Sequence, residues 1–154
     1  MAKGNRGGKR SGSLSLVGQA IKYKLEQAGF KVNPDNTVTL YHMTPPENVN
    51  SIISNGFKGN YDPIGGGVGG ADVGERSFFS LDKNWVQNWD GGGYQLMTIK
   101  VPVEYIRQGA RNKYEVYLEG TVKKKGNKWI PDRQPTSTFY DRIAVKEYNR
   151  AKGN

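Results

Sequence analysis

Residues 37–56 switch from a strand pattern to a helix pattern within a few positions, and the switch carries the chain's only histidine. Thr37-Val38-Thr39-Leu40-Tyr41 is β-branched and aromatic, which predicts a strand. A helix over about residues 45–55 is predicted next. Thr44 can cap it, with Glu47 three residues on at the spacing of a capping box. Pro45 suits the first helical position. Val49, Ile52 and Ile53 form one apolar face, and Gly56 is a natural stop. Tyr41-His42-Met43-Thr44 therefore lies where a strand ends and the chain can open toward a cleft. A histidine there is a candidate functional group. From position and residue type alone, such a histidine more often caps or packs locally, as semi-buried histidines do.

The 154 residues suffice for one domain, and 35% hydrophobic residues can build a core of ordinary size. No apolar run approaches the roughly 20 residues of a membrane helix, and no apolar leader is visible, so neither a membrane partner nor a secretory signal is expected. Zero cysteines exclude disulfides and thiolate zinc sites. This suits a reducing cytoplasm and is compatible with delivery from another cell or a phage. The net charge of +9 is uneven. Residues 1–10 carry +4, residues 121–154 carry +6, and the middle carries −1. Basic ends attract phosphate-rich partners, although they also aid solubility.

Residues 1–12 are expected to be a disordered, basic, Gly-rich tail. A single domain is expected over 13–148, followed by a flexible basic tail over 149–154. Leu14, Val17, Ile21, Leu25 and Ala28 recur at helical spacing, with Gly29 as the stop. Asn33-Pro34-Asp35-Asn36 is a turn. The glycine run of residues 65–70 lies in a long loop with no phosphate-loop signature. Arg76 to Ser80 predicts a short strand, and Asp82 can cap a short helix that carries Trp85 and Trp89 on one face. Tyr94 to Val103 and Lys113 to Val122 predict longer strands. In the latter, Glu115, Tyr117 and Glu119 share one face, which implies a face that is exposed or functional. Lys125-Gly126-Asn127-Lys128 reads as a hairpin turn, and Tyr140 to Lys146 as a last strand. The fold class is α+β.

The order of these pieces resembles the ADP-ribosyltransferase fold, in the His-Tyr-Glu branch shared by diphtheria-type toxins and poly(ADP-ribose) polymerases. It is also similar to small domains of phages and polymorphic bacterial toxins. The resemblance covers roughly residues 37–120. Tyr41-His42-Met43-Thr44 resembles the first motif, Ser77-Phe78-Phe79-Ser80 the second, and Tyr114-Glu115-Val116-Tyr117 the third. Met43 stands where that family often has glycine, and Phe78 where it often has tyrosine. The resemblance implies split antiparallel β-sheets with a few short flanking helices. It implies NAD as the donor, held by His42, Met43 and Thr44 on the ribose and amide side. Phe78 and Trp89, eleven residues apart, would flank the nicotinamide, with Ser80 beside them and Phe79 either beside them or in the core instead. Glu115 would be the catalytic carboxylate, and Glu119 is the fallback on the same face. A macromolecular acceptor is implied, whether nucleic acid or a nucleic-acid-associated protein, and an immunity protein is a further expected partner.

Those residue types suit the chemistry. Cleaving the nicotinamide–ribose bond passes through an oxocarbenium-like state, as glycoside hydrolysis does. A fixed carboxylate stabilises the developing positive charge, and stacked aromatics hold the departing ring. No metal and no cysteine are required. Three other readings stand beside this one. The first is a catalytically inactive member of the fold that acts as a basic nucleic-acid-binding or virion-associated protein. The second is an RNA 2′-phosphotransferase using Arg76, Arg107 and Arg111 for phosphate. The third is a small basic domain without any of this chemistry.

Overall fold

The computed structural model describes residues 14–58, 60–61, 75–89, 92–109, 111–135 and 139–153. The N-terminal tail of residues 1–12, the glycine run of 65–70 and the side chain of Trp89 lie outside the described residues.

Helix α1 spans Leu16–Gln27, and its N-cap Ser15 Oγ accepts a hydrogen bond from Gly18 N at 3.0 Å. It ends as expected: Gly29 takes φ 91°, and Phe30 N donates to Leu25 O at 3.0 Å. The turn at 33–36 is present, closed by Asn36 N donating to Asn33 O at 2.8 Å.

Strand β1 (Thr37–Thr44) runs three residues further than the sequence pattern predicts, and Thr44 is part of it rather than a helix cap. Prolines explain the difference. A residue before proline is pushed away from helical backbone. Thr44 precedes Pro45, and Pro45 precedes Pro46, so both remain extended. Pro45 has ψ 137° and no side-chain cap forms. One 3-10 turn over Pro46–Asn48 then leads into α2 (Val49–Asn55), which Gly56 ends at φ 91°.

The remaining strands are β2 (Asn60–Tyr61), β3 (Glu75–Ser80), β4 (Gln95–Pro102), β5 (Arg107–Gln108), β6 (Glu115–Glu119), β7 (Val122–Lys125) and β8 (Lys128–Pro131). Helix α3 spans Lys83–Trp89, with Asp82 capping it through Trp85 N at 2.6 Å. The main sheet has the order β4-β1-β3-β6-β5, with β2 on β3, and its pairings are antiparallel. The architecture is thus mixed α+β with antiparallel sheets, as expected.

Pairing within the sheet is uneven. β1 and β4 are in register over their full length, from Thr37 opposite Pro102 to Thr44 opposite Gln95. β3 and β6 pair over five positions, from Arg76 opposite Glu119 to Ser80 opposite Glu115. Between these halves, β1 and β3 share the single pair Tyr41–Ser80. The sheet is therefore two well-paired ribbons joined at one point.

One face of the sheet forms the core. Val38, Leu40, Ile99, Val101, Val116 and Leu118 are almost fully buried there. The β7–β8 hairpin covers part of this face, with the Trp129 ring tilted against Phe57 at 5.2 Å between centroids.

Two strand expectations change. Lys113 to Val122 is not one strand, because Gly120 turns left-handed at φ 82°. A Cβ there would collide with Asp132 Oδ1. Val122 therefore begins β7 instead of ending β6. Residues 140–146 are not a strand but part of α4 (Phe139–Ala151). Asp141, Ala144 and Tyr148 recur at helical spacing on the inner side, while Arg142, Lys146, Glu147 and Arg150 are exposed. The helix also extends past 148, so residues 149–151 belong to it. It packs on α1, with Tyr148 Oη donating to Gln19 Oε1 at 2.8 Å and the Tyr23 and Tyr148 rings 5.8 Å apart.

Candidate active site

The point where β1 and β3 part is where the sequence motifs meet. Ser80 is the Cα partner of both Tyr41 and Glu115. The histidine segment and the glutamate segment therefore flank one strand, about 10 Å apart at the usual spacing of roughly 5 Å between strands.

His42 bridges the gap. Its Nδ1 lies 3.2 Å from the carbonyl oxygen of Phe78, and its ring lies edge-on to Phe57 at 5.0 Å and tilted to Phe79 at 5.4 Å. Burial lowers its pKa below the usual histidine value of 6.5, while the Phe78 carbonyl pulls the other way. The ring is thus neutral near pH 7. With Nδ1–H donating to Phe78, Nε2 is left as an acceptor.

Beside it is a cavity of about 320 Å³ between α2 and β3. His42, Asn48, Ser51, Lys58, Ser77 and Phe78 contribute to its wall. That volume is at the small end of ligand pockets.

Strand alternation separates the expected residues. Tyr41, Ser80 and Glu115 share one side of the sheet, so His42 and Phe79 are on the other. Phe79, 4% exposed, is a core residue beside Phe57 and not a free stacking surface. Phe78 faces the Glu115 side, with its ring 5.9 Å from Tyr117. Ser80 Oγ donates to Asp82 O at 2.8 Å and accepts from Asp82 N at 3.0 Å, so it shapes the turn into α3. Met43 is half-buried opposite Leu96, and Thr44 is buried.

Glu115 is held from two sides. Arg111 Nε contacts Oε2 at 2.7 Å and Arg111 N donates to Oε1 at 3.2 Å, with the carboxylate side chain only 12% exposed. Gly109 lies so close that a Cβ there would strike the carboxylate. The Arg111 guanidinium stands 4.8 Å over the Phe78 ring. Phe78 therefore touches both halves of the site: its carbonyl binds His42, and its ring carries the arginine that grips Glu115.

Sequence reasoning did not find this arginine's role. Its signal was a cation four residues before the glutamate, in a loop rather than a helix. The fallback, Glu119, is buried at the far end of β6. It pairs with Arg76 at 3.3 Å and Arg133 at 3.5 Å, so the shared glutamate face is not uniformly exposed. Arg107 is buried against Asp141 at 3.0 Å. Arg76, Arg107 and Arg111 thus each have a carboxylate partner, which disfavours their use as a phosphate cluster.

Among the described residues no group of three His, Asp or Glu could hold a metal ion, and no helix is long and apolar enough to cross a membrane. No protein-family model, no curated protein and no solved structure matches the chain.

Proposed function

We propose that this protein is an NAD-dependent mono-ADP-ribosyltransferase that releases nicotinamide and transfers ADP-ribose to a macromolecular acceptor. One observation carries the reading: Ser80 pairs with both Tyr41 and Glu115, so the three motif segments are neighbours in one sheet, at the point where that sheet divides. His42 and Glu115 take opposite faces of that sheet, so the reading requires NAD to reach both through the gap where the two ribbons part.

In this account His42 orients the ribose through Nε2. The Phe78 ring, on the Glu115 side of the sheet, gives the nicotinamide an apolar wall. Glu115 stabilises the oxocarbenium-like charge at the ribose carbon as the bond to nicotinamide breaks. Arg111 fixes both oxygens of that carboxylate, which reduces its reorganisation during the reaction. NAD is the donor, and the chain's residues bind it, orient it and shield it from water. The setting implied by the resemblance is a toxin or phage effector acting in a cytoplasm.

The test is label transfer. NAD labelled on its adenylate phosphate is incubated with the protein and a cell lysate. Label should move to a macromolecular fraction, and Glu115→Gln should abolish the transfer. Absence of transfer together with absence of NAD binding would overturn the reading.

A second reading is favoured by a specific feature, the occupation of both Glu115 oxygens by Arg111. A carboxylate committed to an internal ion pair suits a catalytically inactive member of the fold that binds nucleic acid through its basic surface. In that case Glu115→Gln leaves function intact.

A further inference from the structure

The β7–β8 hairpin presents a lysine cluster that the site described above does not use. Val122 and Trp129 are buried, which fixes the inward side of the ribbon. Lys124 is the Cα partner of Trp129 and shares that side, and its Nζ turns back to Gly126 O at 2.7 Å. Alternation sends Lys123, Lys125 and Lys128 to the outward side.

Lys125 and Lys128 stand directly opposite each other across the turn. Like charges in opposing positions destabilise a ribbon, so this pair costs stability unless an anion lies between the two. Among the described residues no carboxylate is within ion-pairing distance of Lys123, Lys125 or Lys128.

The hairpin is also next to the cavity. Phe57 and Val122 exchange hydrogen bonds at 2.8 and 2.9 Å, and Lys58, which follows Phe57, lines the cavity. Gly56 approaches so closely that a Cβ there would lie 2.6 Å from Val122 O and 2.9 Å from Lys123 Cγ. The stem of Lys123 therefore packs against Gly56, which is itself part of the cavity wall.

We infer that the outward face of this hairpin, with Lys58 beside it, binds the phosphate backbone of a nucleic acid and presents it at the mouth of the His42 cavity. The binding surface stands on its own, whereas its role as an acceptor platform rests on the transferase reading. Lysines are point charges that contact phosphates without reading bases. A two-stranded ribbon also fits a major groove. The face carries no large exposed apolar anchor of the kind that dominates protein interfaces, which favours a polyanion over an acidic protein. Each phosphate contact releases counterions, so binding is steeply salt-dependent and insensitive to sequence.

The test uses a fluorescein-labelled DNA duplex of about 20 base pairs, read by anisotropy across a salt series. The full chain is compared with a triple variant, Lys123→Gln, Lys125→Gln and Lys128→Gln. A charge-matched control carries Lys31→Gln, Lys83→Gln and Lys146→Gln, three lysines exposed elsewhere. Thermal melts confirm that both variants fold. The hairpin variant should lose at least tenfold in affinity at low salt, and its log–log salt slope should be shallower by about 2 to 3. The control should lose less than threefold. Equal losses in both variants would overturn the assignment, since binding would then follow net charge alone. So would tighter binding to poly-glutamate of matched charge than to DNA, which would make the partner an acidic protein. DNA binding centred on the hairpin without any nicotinamide release overturns the transferase reading alone. Nicotinamide release with DNA binding untouched by the hairpin variant overturns this surface alone.

Discussion

The Nδ1 of His42 lies 3.2 Å from the carbonyl oxygen of Phe78, across two strands that otherwise share one Cα pair. This contact ties the two ribbons of the sheet where they part. His42→Ala removes the tether and leaves the Phe78 carbonyl without its partner. The expected cost is about 1 to 3 kcal/mol, the usual penalty for an orphaned partly buried acceptor, measured by urea denaturation.

The same histidine sets a pH dependence. Its folded pKa is lowered by burial, so the unfolded chain binds its proton more readily. The stability it leaves intact is present above the unfolded value of 6.5 and is lost as pH falls through the folded pKa. Because the chain has one histidine, its ring protons report the titration directly by NMR. The midpoint should lie below 6.5. In His42→Gln, this part of the acid sensitivity should disappear from thermal melts.

Adjacent phenylalanines should behave differently. Phe79→Ala empties a position in the core beside Phe57 and should cost about 3 to 5 kcal/mol. Phe78→Ala leaves the core packed but removes the ring beneath Arg111. It should cost far less stability, about 1 kcal/mol, while weakening NAD binding at least tenfold by calorimetry.

Gly109→Ala probes the placement of Glu115. The added Cβ would collide with the carboxylate, and Glu115 Cγ and Cδ would also lie within 2.6 and 2.7 Å. The side chain must rotate away, and a displacement of about 1 Å can cost roughly 100-fold in rate. Steady-state assays should show kcat falling by about that factor while the melting temperature changes little.

The buried pair Arg107–Asp141 anchors α4 to β5 at 3.0 Å. Asp141→Ala leaves an unpaired guanidinium among carbonyl groups and should cost about 3 to 5 kcal/mol. Urea midpoints and amide exchange along α4 would show it.

Features fixed by neighbouring residues were legible in the sequence. The Asp82 cap, the Gly56 stop and the turn between Lys125 and Lys128 depend on two to four residues each, and they formed as expected. Thr44 failed as a cap because the two prolines after it outweighed the capping-box spacing. The aromatic and β-branched residues of 140–146 give a strand pattern that masks the helical recurrence of α4. Within the site, the residue types and the strand that carries each were legible. The face each side chain takes was not, since that depends on register across three strands. The grip of Arg111 on Glu115 could not be read either, because a loop brings them together without any periodic signal.

Nicotinamide release from NAD, measured for the purified protein beside Glu115→Gln in the presence of nucleic acid, tests the central claim most directly. The account predicts release by the native chain and a loss of about 100-fold or more in the variant, the scale of removing one electrostatic stabiliser. Equal release by both proteins would contradict the role of Glu115, and no release by either would contradict the transferase itself.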